Sequence, residues 1–378
     1  MNEIYFDNAA TTRPSPRVMT KMAELAATLY GNPSSMHEMG LLAELAMKET
    51  GKTLAGILGC HYDEILYTSG GTESNNLAIL GGAQTMGARF NHAITTAAEH
   101  PSVTECFKQL EQRGWRVTWL PVSETGQVDL ADLAQAITAE TCLVSILHVN
   151  IETGAIQDIE TMGRIIRQRN DKTLFHVDAV QSFCKHPIHT GKCAIDLLSV
   201  SAHKIHGLKG TGALYRRKGV RLSPQLFGGG QQGNIRPGTE NTFGIITMAT
   251  AAEVAAKIMT ETTNKAETIK TYLIDHLPEA VINGGPGDSP YILNLSFPGI
   301  RAEVFLHALC EKGLYISTGS ACSSRAKNHS VLTAYGKPKD IVESSIRLSF
   351  SAENTLAEGE AAIALIQAVL PQLARKKA

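Results

Sequence analysis

The stretch TCLVSILHVNIETGAIQDIETMGRIIRQRNDKTLFHVDA, residues 141–179, reads as strand, helix, strand. TCLVSILHV (141–149) and TLFHVDA (173–179) are short apolar runs of strand length. DIETMGRIIRQRN (158–170) between them places Met162, Ile165 and Ile166 at i, i+3 and i+4, which gives a helix one buried face. The same alternation extends in both directions. Upstream, EILYT (64–68) precedes TESNNLAILGGA (72–83), and HAITTA (92–97) precedes PSVTECFKQLEQRG (101–114) and WRVTWLPV (115–122). Downstream lie IDLLSVSA (195–202) and GALYRR (212–217). Strands that alternate with helices predict a mainly parallel sheet covered by helices on both faces, an α/β fold. One long helical stretch is expected from about Ile245 to Leu277. Beyond the turn-rich NGGPGDSP (283–290), YILNLSF and SIRLSF read as strands, and the segments near 301–313 and 355–370 as helices. This predicts a smaller α+β unit from residues 1–14 and 259–378, beside a larger unit of 15–258.

Composition narrows the function. Among 378 residues, 35 Lys plus Arg against 36 Asp plus Glu leave a net charge of −1, so no basic field draws the chain to nucleic acid or anionic lipid. The start, MNEIYFDNAATT, has no basic stretch followed by an apolar core, and no apolar run reaches the ~18 residues of a membrane span. A cytoplasmic protein with no direct nucleic-acid or membrane partner is expected. The seven cysteines are scattered, with no C-x-x-C pair, which argues against a disulfide framework and a zinc site.

The sharpest local signal is SVSAHKIHGLKGTGALY (199–215), where a strand ends in Ser201, His203 and Lys204 and enters a Gly-rich turn. A lysine enclosed there has an amine available for a Schiff base. Pyridoxal 5′-phosphate (PLP) chemistry also needs a phosphate cradle, a carboxylate for the pyridine nitrogen and a group over the ring. SGGTES (69–74) offers Gly71 and Thr72 at a helix N-terminus, where phosphate is stabilised. FHVDAVQS (175–182) puts Asp178 and Gln181 at the C-terminal edge of a parallel strand, where open α/β sheets bind ligands. AAEHPSV (97–103) sets His100 before Pro101 at a helix start, where an imidazole suits stacking and proton exchange. Taken singly, each has a plainer use: a Thr-capped glycine turn, a helix-capping Asp, a structural His. Cys322, in STGSACSS, has small polar neighbours and reads as a thiol on a mobile loop, suited to carrying sulfur once deprotonated. The other cysteines fit core positions.

In order, DNAATT (7–12), GNPSSMH (31–37), SGGTESNN (69–76), EH (99–100), HVDAVQS (176–182), SAHKIHGLKG (201–210), GGGQQGNIRPGTEN (228–241), STGSACSS (317–324) and SSIRLSF (344–350) closely resemble the NifS/IscS-type cysteine desulfurases, nearly end to end. That family is a branch of the class V aminotransferases among fold-type I PLP enzymes. The resemblance implies a mainly parallel seven-stranded sheet, PLP as cofactor, L-cysteine as substrate and a homodimer. It makes Lys204 the Schiff-base lysine, Asp178 the pyridine partner, His100 the ring-stacking acid/base group and Gln181 the partner of the 3-hydroxyl. It puts Thr72, Ser201 and His203 on the phosphate, Thr239 on the neighbouring subunit's phosphate, Arg347 on the substrate carboxylate and the persulfide on Cys322. The acceptor it implies is an iron–sulfur scaffold protein or a tRNA-thiolation enzyme.

Two departures stand out. In HVNIETG (148–154) the family usually has a second Asn where this chain has Ile151, which leaves Asn150 or a water to help Arg347. An Asn restored there is expected to tighten cysteine binding, unless Ile151 packs against the substrate side chain or a rearranged loop. The chain also stops at PQLARKKA (371–378), without the tail some members use to dock the scaffold protein. Other readings are a selenocysteine lyase, another class V enzyme such as an aminotransferase, which needs no loop thiol, or a catalytically weakened assembly partner.

Overall fold

The computed structural model describes residues 3–86, 90–319 and 331–374. The chain opens with strand β1 (Ile4–Tyr5). It then builds β2 (Ile65–Thr68), β3 (His92–Thr96), β4 (Arg116–Leu120), β5 (Thr141–Leu147), β6 (Leu174–Asp178), β7 (Leu197–Ser201) and β8 (Gly212–Arg216). These seven form one sheet in the order β2-β8-β7-β6-β5-β3-β4. All neighbours from β7 to β4 are parallel, and β8 runs antiparallel to both β7 and β2. The expected seven-stranded, mainly parallel sheet is therefore present.

The apolar runs supply both faces of this sheet. Successive side chains of a strand point to opposite sides, so Ile94, Val144, Phe175 and Leu198 enter one core while Ala93, Leu143, Leu174 and Leu197 enter the other. The first core is closed by the helix Ile159–Arg169 through Met162 and Ile166, and by Leu54 and Leu58 of the helix Glu38–Leu58. Val103, Phe107 and Leu110 of the helix Pro101–Gln112 close the second.

The expected long helix is two helices, Thr242–Lys257 and Met259–Asp275, bent by 67°. Ile258 leaves helical geometry, with φ −102° and ψ 11°, although neither Gly nor Pro marks the site. The bend lets the first helix pack on the large sheet through Ile245 and Met248, and the second on a separate core through Ala266, Ile269 and Leu273. Among the described residues no single helix is long and apolar enough to cross a membrane.

That separate core is built on β9 (Val281–Ile282), β10 (Ile292–Ser296), β12 (Ser317–Thr318) and β13 (Ser345–Ser349), an antiparallel sheet in the order β12-β13-β10-β9. β11 (Leu314–Tyr315) pairs instead with β1, in parallel. The N-terminal segment belongs to this unit. Ile4, Phe6 and Ala9 lie in its core, and Ser349 N donates to Phe6 O (2.7 Å).

One buried ion cluster fixes the entry to β7. Asp196, whose side chain is fully buried, pairs with Arg167 and with Arg217 (2.6 Å) and accepts from Phe175 N (2.7 Å). Replacing it orphans the buried Phe175 N–H and takes the anion from Arg167, which keeps the carbonyls of Thr173 and Ala194, and from the half-exposed Arg217, so Asp196→Ala is expected to lower unfolding stability by about 2 kcal/mol. The urea midpoint measures this; a shift too small to resolve would show that the cluster contributes nothing net.

Candidate active site

The chemistry-bearing side chains gather where the parallel strands end. β2 finishes in Ser69-Gly70-Gly71, β6 in Asp178 and β7 in Ser201 to Lys204. Gly70 has φ +151°, and a Cβ on Gly71 would come within 2.6 Å of Val180 Cγ2. Only glycine permits this backbone and this approach, and so the turn after β2 lies against the turn after β6.

Lys204 is buried, and its Nζ donates to the carbonyls of Ala9 (2.5 Å) and Ala10 (2.8 Å). Burial, joined by the positive charges of Lys185 and Arg347, pushes its amine down to about 7. Lys185, unremarked in the sequence, is itself pushed down to about 8 by burial and by Arg347. Gln181 Nε2 donates to the same Ala9 carbonyl (2.9 Å).

A second network joins Asp178 to His100. Asn75 Nδ2 donates to Asp178 Oδ2 (2.8 Å) and to Ser102 Oγ (2.9 Å), and Ser102 Oγ lies 2.8 Å from His100 Nδ1. Ser102 N also donates to His100 Nδ1 (3.1 Å), which makes Nδ1 an acceptor and puts the ring proton on Nε2. Burial lowers the His100 pKa, and Lys204 adds to that while Asp178 opposes it, so the imidazole is held neutral. Neither Asn75 nor Ser102 was singled out in the sequence as a site residue, although both lie inside or beside motifs quoted above.

The residues assigned to a phosphate are spread around the turn after β2. Ser201 Oγ is buried without a partner among the described residues, His203 Nδ1 meets Thr11 Oγ1 (3.1 Å), and Thr72 is exposed. Glu73 pairs with Arg236 (2.7 Å), tying this turn to segment 228–241, where Thr239 is exposed. The unsatisfied buried oxygens Asn75 Oδ1, Gln181 Oε1 and Ser201 Oγ, with the buried amine and the glycine turn, fit a bound PLP.

Arg347, on β13, is buried. Nη2 binds Asp7 Oδ1 (2.7 Å), Nη1 donates to Ile151 O (3.3 Å), and Nε has no partner among the described residues. Asn150 has both polar atoms committed to the chain: Nδ2 donates to Ala98 O (3.1 Å), and Oδ1 accepts from Glu152 N (2.8 Å) and Thr153 N (3.0 Å). Ile151 packs its side chain against the second unit's core. An Asn there would lose that packing, a role for Ile151 that was not foreseen in the sequence. Two buried acids were unforeseen. Burial raises Glu99, whose Oε1 accepts from Thr96 Oγ1 (2.8 Å) and Leu147 N (3.0 Å), to about 8. Burial also raises Glu152, near Arg347, to about 7.

Cys322 lies outside the described residues. Burial pushes the thiols of Cys60, Cys106 and Cys142 up to about 12 and raises Cys184 and Cys193, while Cys310 is exposed. Five of these six are thus held as unreactive thiols.

Residues 4–361 match the family model described as aminotransferase class-V. A relative described as cysteine desulfurase IscS, from Rickettsia bellii, is 41% identical over 373 residues, covering 96% of this chain and 90% of the relative. A solved structure of a NifS-like protein has a TM-score of 0.94 at 38% identity and covers 98% of this chain and 100% of its own. Another, described as SspA in complex with cysteine, has a TM-score of 0.80 at 32% identity, with 93% and 99% covered.

The depressed amine has a direct consequence. An ordinary lysine loses its proton near ~10.4, whereas Lys204, lowered to about 7, is about half free amine at neutral pH and wholly so above it. In the cofactor-free chain its arylation by fluorodinitrobenzene should rise with pH through a midpoint near 7 and then level. A midpoint above pH 9, read by peptide mapping, would contradict the account.

Proposed function

Because the chain belongs to the aminotransferase class-V family and, within it, to the NifS/IscS-type cysteine desulfurases, we propose that it draws sulfur from L-cysteine at the Lys204 site, releases L-alanine and holds the sulfur as a persulfide on Cys322. The observation that carries this reading is the buried Lys204 amine on the Ala9 and Ala10 carbonyls, in a site that also holds Asp178 and His100.

Lys204, Asp178, Gln181, Ser201, His203, Gly71, Thr72 and His100 would hold PLP. When bound, the cofactor supplies an aldehyde for the substrate amine and a protonated ring that withdraws electrons from the α-carbon. Asp178 keeps the ring nitrogen protonated, and Asn75 Nδ2 keeps that carboxylate in place. Lys204 Nζ, which burial makes available as a neutral amine from about pH 7 upward, takes the α-proton. His100, with its proton on Nε2, offers a donor on the ring side while Ser102 holds its other nitrogen. Arg347 binds the substrate carboxylate, a planar fork on a planar anion. As the Cβ–S bond breaks, the Cys322 thiolate bonds to the leaving sulfur, and the carbon skeleton departs as alanine after protonation. Asn150, both of whose polar atoms are bonded to the chain, holds the turn that presents the Ile151 carbonyl to Arg347.

A homodimer accords with the surface. Met36, Leu41, Leu42, Leu45, Leu226 and Phe227 are exposed, and segment 228–241 with its exposed Thr239 lies beside the last two. We assign the enzyme to the cytoplasm, with an iron–sulfur scaffold protein or a tRNA-thiolation enzyme as acceptor.

With PLP and a thiol reductant, the protein should release equal amounts of alanine and sulfide from L-cysteine. Lys204→Ala should abolish this while leaving the circular dichroism spectrum unchanged; activity within about tenfold of wild type would sink the assignment. In light scattering the protein should run at twice the chain mass. A monomer at micromolar concentration, still fully active, would contradict the shared site.

A further inference from the structure

Arg347 does not stand alone in its pocket. Its Nη2 is 2.7 Å from Asp7 Oδ1, and the two side chains are 6% and 22% exposed, so the pair is sheltered with the acid as the more open half. Two anchors, Asp7 and the Ile151 carbonyl, orient the guanidinium and leave Nε, buried and without a partner among the described residues, to receive an oxygen. Asp7 in turn has no partner for Oδ2 among the described residues. Ser349 lies opposite Asp7 in a bridge and bonds the backbone on either side of it, so this acid is held on β13 next to the arginine.

The chain direction then matters. Two and three residues past Asp7, the carbonyls of Ala9 and Ala10 hold Lys204 Nζ. Asp7 therefore pairs with the arginine on the segment whose next carbonyls hold the amine, and its charge is felt at that amine. A fixed cation and a fixed anion at hydrogen-bond distance, each with an open valence, complement an α-amino acid, whose ammonium and carboxylate are separated by a single carbon.

We infer that Asp7 is the ammonium half of a site that reads the substrate as a zwitterion, with Arg347 as the carboxylate half. Asp7 is thus a specificity-determining residue: it favours α-amino acids and repels carboxylates that lack the amine. This rests on the desulfurase reading only for the identity of the amino acid.

Two ligands separate this role from a purely orienting one. N,N-dimethyl-L-cysteine is a zwitterion that cannot condense with an aldehyde, and 3-mercaptopropionate is the same molecule without the amine. Calorimetric titration of the PLP-loaded wild type should show the zwitterion binding about tenfold more tightly, as expected of one added charge-assisted hydrogen bond. Asp7→Asn should weaken the zwitterion about tenfold, while 3-mercaptopropionate binds equally or more tightly. Asp7→Glu, which keeps the anion, should keep the wild-type preference, and it tests the inference even if Asp7→Asn does not fold. Parallel weakening of both ligands in Asp7→Asn, no change in either, no preference in wild type, or loss of the preference in Asp7→Glu would each overturn it. A wild type that binds both ligands as expected and yet forms no alanine from L-cysteine would overturn the desulfurase reading and leave the zwitterion site standing.

Discussion

The carbonyls of Ala9 and Ala10 hold the Lys204 amine, and the rest of the site is arranged around that contact. A buried lysine needs acceptors, and a strand end supplies few. The chain meets this need with its own N-terminus, which leaves β1, lies along β13 and crosses to the edge of the large sheet. Ala9 belongs to the core of the smaller unit while its carbonyl serves Lys204 and Gln181 of the larger one. The two units are thus joined through the Lys204 amine, so a shift of the N-terminal segment disturbs the packing and the candidate site together.

Charge explains why the amine is usable. Burial depresses the amines of Lys204 and Lys185, the charge of Arg347 adds to both, and Lys185 adds to the effect on Lys204. Asp7 and Asp178 offset part of the positive field at Lys204. What remains suits anions: a phosphate at the glycine turn and a carboxylate on Arg347. On the far side, Asn75 and Ser102 carry the order imposed by Asp178 to His100, so a carboxylate and an imidazole from different strands are fixed in register.

The sheet was legible in the sequence because its strands are short apolar runs that bury both faces, as Leu143 and Val144 do on β5. The placement of the motif residues was legible, since Asp178 ends β6 and Lys204 follows β7 as the strand pattern implied. The 67° bend was not, since Ile258 is as good a helix member as its neighbours and only packing against two cores forces it out of line. Asn75, Ser102 and Asp7 were hidden for a related reason. Their roles depend on partners far away in sequence, as between Asp7 and Arg347, and a local pattern does not contain them. Ile151 looked like a missing donor, but its side chain is a packing group and its carbonyl serves the arginine.

The central claim is that sulfur leaves L-cysteine at the Lys204 site and comes to rest on Cys322. Mass spectrometry of the PLP-loaded protein after one exposure to L-cysteine, with persulfides trapped by alkylation, tests it most directly. The account predicts that the peptide bearing Cys322 gains the mass of one sulfur atom, in amounts matching the alanine released, while the peptides of Cys60, Cys106, Cys142, Cys184 and Cys193 are unchanged. Alanine released with the extra sulfur on another cysteine, or on none, would contradict it.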